Sequence, residues 1–246
     1  MTPAPESQFR CGPIRLITLL VGRTQALGTE GAVDVLDRPW TSGIFKSPKQ
    51  GPVWLGREGL AGDEQADLKH HGGPEKAIFA CASEHLPAWR EVLGHEEVGP
   101  GAFGENFLLE GATEDSVCIG DTFRCGEALL QVSQPRQPCW KPSRRWRRKE
   151  LSLLIQRTGM TGWYFRVLRE GHVREGDLLE LLERPCPDWT VALANRAMHH
   201  RPVERELAAR LSTVSFLSPG WRTTLEALAK GQERDTAPRL LGPNQD

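Results

Sequence analysis

The sequence predicts an α+β fold, a β-barrel of short strands with peripheral helices, followed by a small C-terminal three-helix appendage. Three observations point to it. Short apolar, β-branched runs recur from residue 14 to residue 182 with glycine turns between them, a spacing that suits a barrel better than a doubly wound sheet. Helical periodicity within that stretch is confined to two segments, 83–94 and 150–158. Beyond Pro185-Cys186-Pro187 the pattern changes to three consecutive amphipathic stretches.

The elements follow in order. Ile14 to Val21, bounded by Gly12-Pro13 and Gly22, reads as the first strand. Residues 23–40 carry Gly28, Gly31 and Pro39 without a period and read as a long surface loop. Val53 to Leu55 and the glycines at 56, 59 and 62 imply short strands in tight turns, and residues 69–74 read as a loop. Leu86, Trp89 and Leu93 share a helix face, with Ser83 as N-cap and Gly94 as the closing residue. Strand character returns at 103–109, 117–119, 122–125 and 128–132. A helix over 150–158 is closed by Gly159, and strands follow at 163–168 and 178–182. The three terminal helices are expected at 191–198 with Thr190 as N-cap, at 203–211, and at 219–228 with Ser218 as N-cap and Pro219 in the first turn. This divides the chain into a disordered N-terminus (1–12), the barrel (13–186), the helical unit (188–230) and a disordered tail (231–246).

Composition narrows the function. The 246 residues carry a formal net charge of -1, against a protein built mainly to hold nucleic acid by its phosphates. No apolar run approaches the roughly 20 residues of a membrane span, and the polar opening lacks the apolar core of an export signal. A cytoplasmic protein is expected. Its six cysteines are scattered, with no C-x-x-C pair, so reduced thiols are expected rather than a disulfide framework, a zinc finger or an iron–sulfur cluster. Neither a P-loop nor His-Glu-x-x-His is present.

Four segments carry candidate chemistry. In Gln134-Pro135-Arg136-Gln137-Pro138-Cys139-Trp140-Lys141-Pro142, prolines stiffen the chain around one cysteine flanked by Arg136 and Lys141. Neighbouring cations favour the thiolate, the form that attacks or binds a soft metal. A buried cysteine in a proline-rich connector, and a cysteine nucleophile paired with a distant histidine, both stay open on spacing alone. In Lys69-His70-His71-Gly72-Gly73-Pro74-Glu75-Lys76, two glycines and several cationic side chains suit an anion, though a polar turn has the same composition. Glu105-Asn106 beside Gly104, and Asp63 beside Gly62, supply carboxylates and an amide; either acid serves as a proton donor only if burial raises its pKa. The basic run 144–149 reads as the solvated start of the helix ending near Thr158, with a redox partner or a phosphate as alternative contacts.

Taken in order, these fragments resemble the MOSC family, the C-terminal domain type of molybdenum-cofactor sulfurases, and within it the YiiM-type members. The matching stretches are Thr41-Ser42-Gly43-Ile44-Phe45-Lys46, Gly59-Leu60-Ala61-Gly62-Asp63, His71-Gly72-Gly73-Pro74, Phe103-Gly104-Glu105-Asn106, Ile119-Gly120-Asp121, Gln134-Pro135-Arg136-x-Pro138-Cys139 and Thr161-Gly162-Trp163-Tyr164. The likeness runs from about Ile14 to Pro185, and the tail resembles the family's three-helix unit. The resemblance implies a barrel that binds molybdenum cofactor (Mo-molybdopterin) with one cysteine as metal ligand, here Cys139. It further implies reduction of N-hydroxylated compounds such as 6-N-hydroxylaminopurine, with a carrier or sulfuration module as the alternative. On that reading Lys69, His71, Gly72, Gly73, Asn106, Arg136 and Lys141 bind cofactor, and Glu105 or Asp63 delivers a proton. A homodimer and a separate electron-donating reductase are expected, the run near Arg147 being a candidate docking surface.

Overall fold

The computed structural model describes residues 12–68 and 71–244. Seven strands close a barrel: β1 (Ile14–Val21), β2 (Ile78–Ala82), β3 (Phe107–Glu110), β4 (Thr122–Cys125), β5 (Ala128–Pro135), β6 (Trp163–Arg169) and β7 (Leu178–Glu183). Their order around the ring is β7-β4-β5-β6-β2-β3-β1, and β1 pairs back onto β7. Every pairing in the ring is antiparallel except β2 with β3. A parallel pair needs a crossover, which the helix α1 (Leu86–Leu93) and the loop after it supply.

Alternation along the strands decides what fills the barrel. Trp163, Phe165 and Val167 of β6, Ile78 and Ala80 of β2, and Phe107 and Leu109 of β3 belong to the interior cluster with Leu16, Phe123 and Leu130. Their neighbours in sequence, Phe79, Cys81, Leu108 and Tyr164, point outward into a second cluster with Trp89 of α1 and with Leu151 and Ile155 of the helix α3 (Leu151–Thr158). The interior is thus packed solid with side chains, and any site must lie on an outer face or at a rim.

The remaining helices are α2 (Lys141–Arg145), α4 (Val191–His199), α5 (Arg205–Ser212), α6 (Pro219–Ala229) and α7 (Ala237–Leu240). Thr190 caps α4 as expected, its Oγ1 accepting from the Leu193 amide at 3.1 Å. Val191, Ala194, Leu211, Trp221, Leu225 and Leu228 join the same buried cluster as the barrel interior, so α4–α6 share one core with it. Among the described residues no helix is long and apolar enough to cross a membrane.

Several local expectations are corrected. The loop expected at 23–40 opens on Gln25–Leu27, which pairs antiparallel with Trp40–Ser42, and contains a 3-10 turn capped by Asp34. Residues 117–119 form only an isolated bridge, Cys118 to Thr190. Strand β3 starts at Phe107 rather than at 103, because the Glu105 carboxylate takes the amides of Gly101 and Phe103 that a ladder would need. Ser83 and Ser218 make no capping bond; Ser218 instead donates its amide to the Ser133 carbonyl of β5 at 3.0 Å. The tail expected to be disordered holds α7 and a 3-10 turn, with Leu240 and Asn244 buried. The expected disordered N-terminus lies outside the described residues apart from the exposed Gly12.

Candidate active site

Strand β5 ends at Pro135, paired with Trp163, and the chain then leaves the barrel through Arg136, whose amide donates to the Gly162 carbonyl at 3.0 Å. Gly162 has φ +71, and a Cβ there would run into the Ala80 carbonyl, so only glycine lets β6 start this close to β2. The loop then brings in Cys139, whose carbonyl accepts from Ser152 Oγ at 2.5 Å; Ser152 Oγ lies 2.9 Å from Ser143 Oγ. Both serines are fully buried, so the α2–α3 pair anchors the cysteine from beneath.

Cys139 lines a surface-open cavity on the outer face of the barrel, enclosing about 600 Å³ including the solvent at its mouth. The outward residues of β2 and β6, Phe79 and Tyr164, form one wall, their rings 5.4 Å apart. They are direct register partners, so the pleat that packs the barrel also aims both rings at the cavity. Phe103 adds a third aromatic surface.

The cavity carries a cationic set. Burial raises the Cys139 thiol, but a hydrogen bond from His71 and its charge, then Arg136 and the Lys141 amide, outweigh it and bring the pKa down to about 6. Arg136 is 5% exposed, stacks 5.0 Å over Phe79, and leaves Nη1 buried with no hydrogen-bond partner. His71 Nδ1 is likewise buried without a bond, the nearest carboxylate oxygen, on Asp67, being 3.9 Å away. Burial pushes Tyr164 up to about 12, with Arg136 opposing and Cys139 reinforcing, so its hydroxyl stays protonated and bonds Arg136. On the opposite wall Lys46 and Asp63 form a buried ion pair, and Asp63 also accepts the Gly22 amide at 2.8 Å and Asn106 Nδ2 at 2.9 Å. Burial lowers Lys46, against the pull of Asp63.

The structure brings together Cys139, Asp63, His71, Asn106, Arg136 and Lys141 of the residues expected from sequence. Asn106 spends its amide inside the protein: Oδ1 accepts the Phe79 amide and Nδ2 donates to Leu20 and Asp63, so it positions Asp63 and does not bind cofactor through that group. Glu105, fully buried beneath the floor, does not line the cavity; its carboxylate holds the loop 101–103. Burial raises its pKa, against those same amides. Gly72 and Gly73 lie outside the lining, and Lys69 lies outside the described residues. Lys46 and Tyr164 were not expected as site residues, although both ended stretches that resemble the family: Lys46 closes 41–46 and Tyr164 closes 161–164.

The basic run is solvated only in part: it begins inside the protein and reaches the surface at Arg147 and Lys149. Arg144 is 4% exposed and donates to Asn244 Oδ1 and the Arg38 carbonyl; Arg145 donates to the carbonyls of Ile44 and Gly101. Arg147 pairs with Asp34 and Asp37, and Arg148 bonds the Val92 carbonyl. Arg144 and Arg145 thus hold the cavity's loops together, while Arg147 stays at the surface with its side chain 56% exposed.

Comparison with known proteins identifies this arrangement. Residues 67–180 match the model of the MOSC domain, and residues 189–228 match that of the YiiM-like, 3-alpha helix domain. The chain is 40% identical to protein YiiM of Escherichia coli (strain K12) over 205 residues, 82% of this chain and 91% of the relative. It belongs to the MOSC family. The crystal structure of YiiM from Geobacillus stearothermophilus superposes with a TM-score of 0.73 at 35% identity, covering 88% of this chain and 100% of that one. A protein of Gibberella moniliformis (strain M3125 / FGSC 7600) named "Reductase" is 39% identical over 172 residues, 69% of this chain but only 30% of the relative.

MOSC domains are associated in general with molybdenum cofactor, an anionic pterin that brings sulfur ligands to its metal. The residues here fit such a group. A thiolate faces the cavity, and beside it the buried Arg136 guanidinium and the half-buried His71 imidazole each have a buried nitrogen without a partner. Among the described residues no three His, Cys, Asp or Glu side chains are grouped to hold a bare ion.

Proposed function

We propose that this MOSC protein is a molybdenum-cofactor-dependent reductase of N-hydroxylated compounds, 6-N-hydroxylaminopurine among them. The observation that carries the reading is the Cys139 thiolate in an open cavity beside the unpartnered nitrogens of Arg136 and His71. Cys139 would ligate the metal, and Arg136, His71 and Lys141 would hold the anionic pterin. The bound cofactor supplies two-electron redox chemistry. The net change takes R–NHOH, two electrons and two protons to R–NH2 and water.

The chain's own residues supply orientation and protons. The aromatic surfaces of Phe79, Phe103 and Tyr164 suit a flat heteroaromatic ring. Tyr164, protonated at neutral pH, offers a neutral donor to an N–O oxygen. The Lys46–Asp63 pair holds a proton in the cavity wall, with Lys46 lowered by burial and so readier to release it. Glu105, off the cavity and bonded to backbone amides, is not the proton donor. On this reading electrons come from a separate reductase. The fungal relative named for reduction, most of whose length lies outside the match, supports an oxidoreductase role.

The test is expression in a molybdopterin-competent host, with bound molybdenum measured in wild type and in Cys139→Ala. Near-stoichiometric metal in the wild type, its loss in the variant, and viologen-driven reduction of an N-hydroxylated purine are expected. Equal metal in both proteins removes Cys139 as ligand. Metal without turnover makes the protein a cofactor carrier. Metal-free protein with hydrolytic activity leaves a cysteine hydrolase.

A further inference from the structure

The loop that carries Cys139 leaves carbonyls to donors from distant parts of the chain. Pro135, Pro138 and Pro142 supply no amide donors, so carbonyls in the loop depend on donors from elsewhere. On the barrel side these come from Ser152, which bonds the Cys139 carbonyl. On the outer side they come from the C-terminal segment. Arg239 of α7 donates through Nη1 to the Pro138 carbonyl and through Nη2 to Gln156 Oε1 of α3 at 2.7 Å. Asn244 Nδ2 donates to the Trp140 carbonyl at 3.3 Å, which also accepts the Ser143 amide at 3.1 Å. Asn244 Oδ1 accepts Arg144 Nε at 2.7 Å. The carbonyls immediately before and after Cys139 are therefore both held by the last turns of the chain.

The contact is close and buried. Gly242, with φ +52, lies against the Trp140 indole, where a Cβ would collide with the ring. Leu240 and Asn244 are 5% and 6% exposed, although they stand at the end of the described chain. All these residues lie beyond residue 228, where the match to the family's helical domain stops.

We infer that residues 237–244 form a clamp that sets the position of Cys139, with Arg239 and Asn244 as its positioning residues. The clamp stands on geometry alone; its consequence for metal loading rests on the function proposed above.

The experiment uses the full-length protein. Peptide-resolved hydrogen exchange is followed over residues 136–144 in wild type, in the double variant Arg239→Ala/Asn244→Ala, and in Gly242→Val, which displaces the clamp without removing a donor. Loss of two such bonds is expected to raise exchange in that peptide about tenfold in both variants, with β5 and β6 still protected. Arg239→Lys, which keeps one donor, restores part of the protection. Molybdenum retained after expression in a cofactor-competent host is expected to fall at least about fivefold in the double variant. Unchanged exchange in 136–144 overturns the clamp, and so does loss of protection throughout the barrel, since the segment then serves the whole fold. Local loosening with undiminished metal overturns the positioning role. Local loosening in a protein that binds no molybdenum even as wild type supports the clamp and defeats the molybdenum reading instead.

Discussion

Replacing His71 by Gln isolates the device that keeps Cys139 ionised. Burial alone drives this thiol upward from its ordinary 9.0; the His71 hydrogen bond and charge lead the interactions that bring it down to about 6. At pH 7 a thiol at about 6 is roughly nine-tenths thiolate, whereas one at 9.0 is about 1% thiolate. His71→Gln removes the charge and leaves Arg136 and the Lys141 amide to oppose burial. Iodoacetamide alkylation of Cys139 at pH 7, followed by peptide mass spectrometry in protein without metal, is therefore expected to slow at least about tenfold. The two proteins converge as the pH rises towards 9.5. The wild-type rate should turn over near pH 6, and the variant's well above it. Stability carries the same signature. The folded thiol titrates below its unfolded value, so the folded protein binds fewer protons between about pH 6 and 9 and gains stability as pH rises across that window. The substitution flattens the rise. A variant whose alkylation profile still turns over within half a unit of pH 6 would refute the reasoning and leave Arg136 and the amide as sufficient.

Two further outcomes test the walls of the site. Asp63→Ala strands the Lys46 ammonium, whose side chain is 6% exposed, and is expected to cost about 3 kcal/mol in denaturant unfolding; Lys46→Met in the same background should recover much of it, and a smaller loss for the double variant than for the single is the decisive sign. Burial lowers His85, but the 2.6 Å bond to Glu114 and its charge raise it above 6.5 on balance. The folded protein then keeps this proton at a pH where the unfolded chain has begun to lose it, so the contribution is present below 6.5 and fades as pH rises through the higher folded pKa. Melting temperatures of wild type and His85→Gln should differ most below pH 6.5 and approach each other at higher pH; a constant difference would remove the linkage.

Strand-forming runs bounded by glycines were legible because local chemistry decides them: Ile14–Val21 and Thr122–Cys125 end where the sequence ends them. Thr190 and Gly159 likewise mark helix ends by side-chain and backbone preference alone. The proline-framed Cys139 with Arg136 was legible for the same reason, since neighbours in sequence are neighbours in space. The combination of motifs named the family, although no single one placed the cavity. Only the tertiary structure decided that Lys46 faces Asp63 and that Tyr164 meets Phe79 across a strand pair. It alone showed that Glu105 turns from the cavity to hold amides of residues 101–103, and that Arg144 and Arg145 are interior struts. The same residue types serve on a surface or in a core, and which they do depends on partners tens of residues away. The segment after residue 230 reads as disordered by itself; in the structure its Arg239 and Asn244 donate to the carbonyls of Pro138 and Trp140. That contact exists only once the fold has brought residues 138–140 and 239–244 together.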